Sequence, residues 1–431
     1  AAVPVEVIPH NIGCVLPRPD FLPALRQQCT EHGALLIFDE VITGFRHALG
    51  GYQSIAGVTP DLSTFAKAMA NGYPIAALAG RAQYMDRFGP GGGIFFAGTY
   101  NGHPVGVAAA LATIAILEER GFPIGELYLL GSARSAGTRL EFKGRHFRID
   151  ELAGFDFARA QIAFFAVSAD LARQYAPRAV AAGCAVIDCS SAFRHDQDVP
   201  LVIPEVNPQA LAAFRSRGLV ASPDPTSIQL LVAIQALHAA ATIEHIQVCT
   251  VEAVSGRGKA GVEELAAQTA ALLNGQSTEP QVFPQQIAFN SLARIDLPLD
   301  NGYTESEMDV VWATQRILDA RISVNPSAIL APVFYGYSSM VTIQTAQPLT
   351  ATDAKRLLSK APGVLVLDGP KPAQLPTPAG VVGTDSVYVG RIRQGQSGPR
   401  ELNMWIAVDN VRKGSALNAV QIGELLVKAY L

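Results

Sequence analysis

The stretch LEERGFPIGELYLLGSARSAG, residues 117–137, decides how the larger part of the chain folds. It runs from a helix end into a strand, and the strand ends in a small polar loop that contains Ser132, Arg134 and Ser135. This pattern is typical of the second strand of a dinucleotide-binding unit, where an arginine and hydroxyls hold a ribose phosphate. Such a unit has a first strand and a glycine-rich turn about twenty residues earlier. This chain has neither there.

The composition indicates a globular protein that acts on small molecules. With 431 residues, 49% of them hydrophobic and 16% charged, the chain is long enough for about two or three domains with sizeable cores. The net charge of −4 gives no basic footprint, so no nucleic acid partner is predicted. No apolar run is as long as a membrane span and residues 1–30 have no secretory signal pattern, so we predict no membrane association and a cytoplasmic location.

The cysteines and the first residues set two further expectations. The five cysteines are scattered without a CxxC pair, so neither a disulfide framework nor a metal site is predicted. The chain starts without an initiator methionine, inside the predicted strand AAVPVEVI, so we expect a fragment or a processed chain.

Residues 1–118 alternate strand-like and helix-like pieces, which predicts a parallel sheet with covering helices. The strands include ALLIFDEV and IAALAGR. Asp39 ends the first of these, where an acid either holds a ring nitrogen or a ribose hydroxyl, or caps a helix. Lys67 has apolar neighbours, which favours Schiff-base chemistry over a surface role because desolvation lowers the pKa of a lysine. Thr99, in FFAGTYNGHP, offers a hydroxyl to a phosphate.

These three residues lie in LLIFDEVITGFR, GVTPDLSTFAKAMANGYPIAALAGR and FFAGTYNGHPVGVAAALATI. The segment resembles class III pyridoxal-phosphate aminotransferases, in the branch that contains glutamate-1-semialdehyde aminomutase. The resemblance implies that Asp39 pairs with the pyridine nitrogen, Lys67 forms the Schiff base, and Thr99 reaches the cofactor phosphate of a neighbouring subunit. The family's upstream phosphate-binding turn and its ring-stacking aromatic residue have no counterpart here. The resemblance therefore implies only half of a pyridoxal-phosphate site.

Residues 117–431 resemble aspartate-semialdehyde dehydrogenase. The resemblance rests on LGSARSAG, YAPRAVAAGCAVIDCSSAFRHDQDVPLVIPEVNP, VEAVSGRGKAGVEELAAQTAALLN, APVFYGYS and LNMWIAVDNVRKGSALNAVQIGELL. Within these stretches IAFFAVS, CAVIDCSS and LVIPEVN are predicted strands, and TSIQLLVAIQALHAAA is a predicted helix. The family pattern implies a nucleotide domain, an inserted domain that carries the catalytic base and the dimer contact, and a last helix that returns to the first domain. A homodimer is therefore expected.

The predicted fold class is α/β, with a partial aminotransferase large-domain segment in residues 1–118. It is followed by an incomplete Rossmann-type nucleotide domain in residues 119–242 and 415–431, and by an α+β dimerisation domain in residues 243–414. In the family, LEERGFP ends the helix after the glycine-rich turn, and here the helix PVGVAAALATIAILEERG of the aminotransferase segment takes that place. Without the turn's backbone N–H groups we expect weak NADP binding.

The dehydrogenase resemblance also implies ligand-binding residues. Ser132, Arg134 and Ser135 hold the ribose phosphate of NADP. Arg194 holds inorganic phosphate or the substrate anion. Asp409 and Asn410 line the nicotinamide side.

The chemistry of the dehydrogenase needs a cysteine thiolate and a histidine. The family has its nucleophile in NPNCSTIQ, and this chain reads SPDPTSIQ, with Pro225 in place of the cysteine. The family's GHS triplet is GYS here, so Tyr337 replaces the histidine, and no histidine follows residue 245. Glu252 replaces a glutamine, and Leu330 replaces an arginine that binds substrate. These losses resemble the Usg-type paralogues of the dehydrogenase.

The sequence leaves three functions open. The first is an aspartate-semialdehyde-dehydrogenase-like protein of the Usg type without dehydrogenase activity, fused naturally or artefactually to a truncated aminotransferase segment. The second is a pyridoxal-phosphate enzyme that acts through Lys67. In the third, the N-terminal segment only packs in place of the lost strand and helix. Both catalytic sites are incomplete by sequence.

Three further features have a plain structural interpretation. The stretch GRGKAG, with Gly256, Gly258 and Gly261, matches GxGxxG but has no second strand–helix unit after it, so it is not predicted as a pyrophosphate turn. Cys189 is predicted to be a buried structural thiol, and His195 a solvated loop histidine without a partner.

Overall fold

The computed structural model describes residues 2–9, 14–48, 50–65, 77–85, 105–132, 135–143, 145–293, 296 and 298–430, with the backbone alone at 77, 105–111 and 372. The helices in these residues are α1 (Phe21–Glu31), α2 (Tyr52–Ala56), α3 (Ala82–Met85), α4 (Val105–Glu119), α5 (Ala169–Ala181), α6 (Pro225–Ala241), α7 (Gly258–Leu273), α8 (Glu305–Ile317), α9 (Ala351–Leu358) and α10 (Leu417–Ala429). None of them is long and apolar enough to span a bilayer.

The strands in the described residues are β1 (Ala2–Glu6), β2 (Leu35–Asp39), β3 (Leu62–Phe65), β4 (Ala77–Gly80), β5 (Leu129–Gly131), β6 (Arg139–Phe142), β7 (Arg145–Glu151), β8 (Ile162–Phe165), β9 (Ala185–Asp188), β10 (Leu219–Ala221), β11 (Ile243–Glu252), β12 (Ser323–Leu330), β13 (Tyr337–Thr345), β14 (Val364–Val366), β15 (Val387–Gln394) and β16 (Glu401–Val408). The chain divides into two compact units, Ala1–Gly102 and His103–Leu431. Helix α4 lies in the second unit.

The first unit contains a four-stranded sheet in the order β1-β2-β3-β4. Strands β1, β2 and β3 are parallel, as the sequence pattern predicts, and Leu36 and Phe38 of β2 are buried against α1. The prediction of IAALAGR as a further parallel strand is wrong, because β4 runs antiparallel to β3. Eleven residues separate the two strands, fewer than the dozen or more that a parallel crossover needs.

Helix α6 is the centre of the second unit. Its sequence is apolar on every side, and Ile228, Leu231, Ile234 and Leu237 have no exposed surface. A helix with this pattern must be covered all round, because no face of it is suited to water. Strands of a three-stranded sheet pack in the same core as α6, and so do strands of a six-stranded sheet. The start of α6 is thereby fixed between the two sheets.

The six-stranded sheet has the order β12-β11-β13-β16-β15-β14. Strand β11 is parallel to β12 and antiparallel to β13, so the end of β11 lies beside the start of β13. Alternate residues of these strands face α6, including Val341, Met404 and Val389. The opposite face carries Met340, a residue that is 55% exposed. This mixed sheet is the α+β part of the predicted fold.

The Rossmann-type part contains two separate three-stranded sheets, β10-β9-β8 and β5-β7-β6. In the dinucleotide-binding strand order the first strand lies between the second and the fourth. Strand β5 corresponds to the second strand and β8 to the fourth, and among the described residues no strand pairs with both. Side chains of β5 and β8 instead pack against one apolar cluster with α4 and α10. The sheet is thus divided where the first strand is expected.

Candidate functional site

The predicted nucleophile position lies at the start of α6. Asp224 is the N-cap residue and accepts a hydrogen bond from the Ser227 N–H at 2.9 Å. Pro225 is the first residue of the helix, where a missing N–H leaves no hydrogen bond unmade. A Cβ added to Gly414 would lie 2.8 Å from the Pro225 Cβ, so the two residues are in close contact. The helix start is therefore well formed but carries no nucleophile at this position.

Tyr337 and Glu252 form a hydrogen-bonded pair next to this helix start. The hydroxyl of Tyr337, at the start of β13, donates to the carboxyl of Glu252, at the end of β11. Thr226 of α6 donates to Glu252 Oε1 at 3.4 Å. Both members of the pair are buried, and burial raises the pKa of Glu252 to about 7, with a further contribution from the charge of Asp224. The positions that differ from the family pattern therefore meet in one place.

The three described thiols of the second unit, Cys184, Cys189 and Cys249, are not prepared for nucleophilic chemistry. Burial raises the pKa of Cys189 to about 12 and that of Cys184 to about 11, so neither is a thiolate near neutral pH. Burial raises the pKa of Cys249 as well. Cys189 is half-buried rather than fully buried, and its purely structural role stays a prediction.

A cavity of about 480 Å³ opens beside the start of α6. It lies between α8 and the loop after β9 that contains Arg194, here called the Arg194 loop. Each nitrogen of the Arg194 guanidinium donates to a protein oxygen: Nε to the Ser222 carbonyl at 3.3 Å, Nη2 to the Cys189 carbonyl at 3.3 Å, and Nη1 to Asp309 Oδ2 at 3.1 Å. The side chains of Arg194 and Asp309 are 13% and 8% exposed. Arg194, predicted to hold an anion, thus holds a carboxylate of the protein itself.

His195 lies exposed in a loop, as predicted, but the prediction that it has no partner is wrong. Its Nε2 lies 3.2 Å from Asp309 Oδ1, and its ring meets the Trp312 ring edge-on at a centroid distance of 4.4 Å. Burial and the neighbouring Arg194 lower the pKa of His195. The imidazole is therefore neutral at neutral pH and forms part of the cavity wall.

Asp309 and Trp312 are among the residues of this cavity that the sequence did not single out. Both belong to α8, whose start is marked by a capping box of Thr304 and Glu307. Asp309 shares the buried face of this helix with Val310 and Ala313. An acid on the apolar face of an amphipathic helix is rarely buried without a partner, and this would have been the signal in the sequence.

On the nucleotide side, the loop after β5 is described only in part. The hydroxyls of Ser132 and Ser135 lie 3.2 Å apart, and the Ser135 hydroxyl also donates to the Ser132 carbonyl. Arg134 lies outside the described residues, as do the residues that precede α4. The two serines are thus in one loop, but they bond to each other.

Asp409 and Asn410 are both buried and both hold backbone. Asp409 accepts from the N–H groups of Gly383 at 2.7 Å, Val411 at 2.9 Å and Arg412 at 2.7 Å. Asn410 accepts from the Gly336 N–H at 3.0 Å and donates to the Ser255 hydroxyl at 3.1 Å. Their polar groups are engaged in fixing loops, and their place beside the nicotinamide stays a prediction.

The GRGKAG stretch lies at the start of α7. A Cβ on Gly256 would come within 2.0 Å of the Tyr337 hydroxyl, and one on Gly261 within 2.5 Å of the Val254 carbonyl. Packing alone therefore requires these glycines. No phosphate cradle is needed to explain the motif.

Of the three residues predicted to bind pyridoxal phosphate, only Asp39 is described. It is exposed at the carboxyl end of β2, and its Oδ1 accepts from the Val41 N–H at 3.0 Å and from the Thr64 hydroxyl at 3.3 Å. Lys67 and Thr99 lie outside the described residues. Asp39 lies at the carboxyl end of a parallel strand, and its pairing with the cofactor's ring nitrogen stays a prediction.

Three family models match the chain. Residues 1–128 match the class-III aminotransferase model, residues 106–214 the NAD binding domain of semialdehyde dehydrogenase, and residues 234–413 its dimerisation domain. The dehydrogenase match begins at residue 106, earlier than the predicted limit at 117. Residues 106–128 therefore match both families, as expected if the aminotransferase helix α4 takes the place of the dehydrogenase helix.

Individual proteins resemble most of the second unit. An aspartate-semialdehyde dehydrogenase of Shewanella violacea is 46% identical over 325 residues, which are 75% of this chain and 96% of the relative. A USG-1 protein homolog of Azotobacter vinelandii is 42% identical over 319 residues, 74% of this chain and 94% of the relative. The crystal structure of aspartate semialdehyde dehydrogenase II from Vibrio cholerae aligns with a TM-score of 0.74 at 45% identity, over 75% of this chain and 96% of that one.

Proposed function

Because the chain belongs to the semialdehyde dehydrogenase family, we propose that it is an aspartate-semialdehyde-dehydrogenase-like protein of the Usg type that lacks dehydrogenase activity. It has a cavity beside α6 that can hold a small molecule, and it acts as a binding or scaffold protein. Its location, on this proposal, is the cytoplasm. Residues 1–118 are, on this proposal, a truncated aminotransferase segment fused to it.

The proposal rests on the arrangement at the start of α6. Aldehyde oxidation in this family requires a thiolate that attacks the carbonyl and an imidazole that moves the proton. Pro225 has no atom that can form a thioester, and Tyr337 and Glu252 bond to each other beside it. Burial raises the pKa of Tyr337 well above its usual range, so this hydroxyl does not act as a base near neutral pH.

The first prediction concerns turnover. The full chain, assayed with aspartate semialdehyde, phosphate and NADP, is expected to show no NADPH formation above a protein-free blank, because no covalent intermediate forms at Pro225. The Shewanella violacea enzyme measured in parallel is the positive control. Turnover that rises in proportion to the concentration of this protein would refute the proposal.

We further propose a homodimer built on the open face of the six-stranded sheet. Met340 and Leu365 are 55% and 41% exposed, and the strand register puts them on the same face as Tyr388 and Trp405. An apolar sheet face of this kind is suited to cover by a second copy. The match of residues 234–413 to a dimerisation domain supports this arrangement.

A second candidate function is a pyridoxal-phosphate site on Lys67. It is supported by the aminotransferase match and by Asp39 at the carboxyl end of a parallel strand, where an acid can hold a protonated ring nitrogen. When bound, the cofactor would supply an electron sink. Asp39 would then keep a proton on that nitrogen.

This candidate predicts stoichiometric attachment of the cofactor. The full chain is incubated with pyridoxal phosphate, reduced with borohydride and digested, and the modified peptide is found by mass spectrometry. The label is expected on Lys67 and should disappear in Lys67→Ala, with Lys360→Ala as the control on an exposed lysine. Label spread over many lysines, with no preference for Lys67, would exclude the candidate.

A further inference from the structure

The cavity beside α6 is lined by two arginines whose hydrogen bonds are directed into the protein. Arg194 donates from all three nitrogens, as described above. Arg316 donates from Nη1 to the Arg194 carbonyl at 2.7 Å and from Nη2 to the carbonyls of Asp196, at 2.8 Å, and Val199. Both guanidinium groups therefore hold the Arg194 loop in place. Because their N–H groups are already used in this way, they are poorly placed to bind an anion through two parallel hydrogen bonds.

An acceptor in the same wall is unsatisfied. Asp309 Oδ1 is buried and has no hydrogen-bond partner among the described residues, although His195 Nε2 lies 3.2 Å away outside hydrogen-bonding geometry. The Asp309 side chain is only 8% exposed. A buried carboxylate oxygen without a partner costs free energy, and a donor brought by a ligand would remove that cost.

Trp312 lies one turn further along α8 and lines the same cavity. It is 37% exposed, so part of its ring is open to a ligand. An indole face attracts organic cations and stacks with aromatic groups. The unsatisfied oxygen of Asp309 and the exposed part of the Trp312 ring are therefore both suited to an organic cation.

We propose that this cavity binds a small organic cation, a primary ammonium group attached to an apolar or aromatic body, with the ammonium N–H on Asp309 Oδ1 and the body against Trp312. The inference deepens the proposed function, on which it rests, by naming the class of ligand. It also replaces the anion expected at Arg194 by a cation.

The charged groups that face Asp309 set the conditions of the test. Burial, Asp224 and Glu305 raise the pKa of Asp309 to about 7, while Arg194 lowers it. His195 is next to it on the cavity side and Arg316 lines the same wall. Titrations are therefore carried out at about pH 8, where Asp309 is largely ionised and an alkylammonium is still charged.

The experiment uses the full chain with Trp405→Phe, so that Trp312 is the sole tryptophan and reports binding by its fluorescence. Three probes are titrated: phenethylammonium, 3-phenylpropionate as a carboxylate of similar size, and inorganic phosphate. Phenethylammonium is expected to bind at least about tenfold more tightly than either anion. This comparison needs no change in the cavity itself.

Asp309→Asn, which keeps the shape and the acceptor for Arg194, is expected to weaken phenethylammonium about tenfold or more. Glu305→Gln, an exposed acid on the same helix, is the matched control and should change the affinity by less than about twofold. Equal or tighter binding of an anion, no effect of Asp309→Asn, or no binding of phenethylammonium would each overturn the inference. None of these results restores turnover, so the proposed function is tested separately.

Discussion

Replacing Lys413 by methionine is expected to lower the free energy of unfolding of the second unit by about 3–5 kcal/mol. Lys413 is fully buried, and its Nζ donates to Glu205 Oε1 at 2.7 Å and to Gln421 Oε1 at 3.0 Å. Methionine fills a similar volume but leaves Glu205 with Gln421 Nε2, at 2.8 Å, as its remaining side-chain partner. An uncompensated buried carboxylate is the source of the loss.

Urea unfolding followed by tryptophan fluorescence measures this effect, because both tryptophans, Trp312 and Trp405, lie in the second unit. The double variant Lys413→Met with Glu205→Gln is expected to regain more than half of the loss, since both charges are then absent. Lys259→Met, which breaks a surface pair with Glu263 at 3.2 Å, should cost about 0.5 kcal/mol or less. A loss of that small size for Lys413→Met would contradict the prediction.

The sequence predicts best those elements whose apolar pattern is strong over their whole length. The runs IAFFAVS and CAVIDCSS contain β8 and β9, and TSIQLLVAIQALHAAA is α6 but for its first residue. Pro225 begins α6, Glu252 ends β11 and Tyr337 begins β13, and the family resemblance alone identifies all three as substituted positions. Substitutions within a strongly matching family motif can therefore be predicted from the sequence alone.

Features set by distant contacts could not be read in this way. The run LVIPEVN, predicted as a strand, forms only a single bridge from Leu201 to Ala221. Asn207 bonds the Ile203 N–H and the Leu201 carbonyl instead, which turns the chain away from the sheet. Likewise, Arg194 is neutralised by Asp309, a residue 115 positions away that only the packing of α8 brings close.

The last prediction concerns the pH dependence of stability. Glu252 has a pKa of about 7 in the folded protein, against 4.5 as its ordinary value, because burial disfavours the charged carboxylate. The unfolded chain therefore releases this proton first as the pH rises. Below about pH 4.5 Glu252 does not reduce the free energy of unfolding. As the pH rises from there through 7, ionisation of Glu252 lowers the free energy of unfolding by about 3 kcal/mol in total.

Glu252→Gln removes this titration, because the amide is neutral at every pH and its oxygen still accepts from the Tyr337 hydroxyl. Its free energy of unfolding, measured in urea between about pH 5 and pH 8, should fall by about 2.5 kcal/mol less than that of the unaltered protein. Asp309 also has a pKa raised to about 7, but it is present in both proteins, so the difference isolates Glu252. Glu263→Gln on α7 is the control and should run parallel to the unaltered protein. If Glu252→Gln runs parallel as well, the carboxyl is ionised throughout this range and the buried Tyr337–Glu252 pair is not neutral near pH 7.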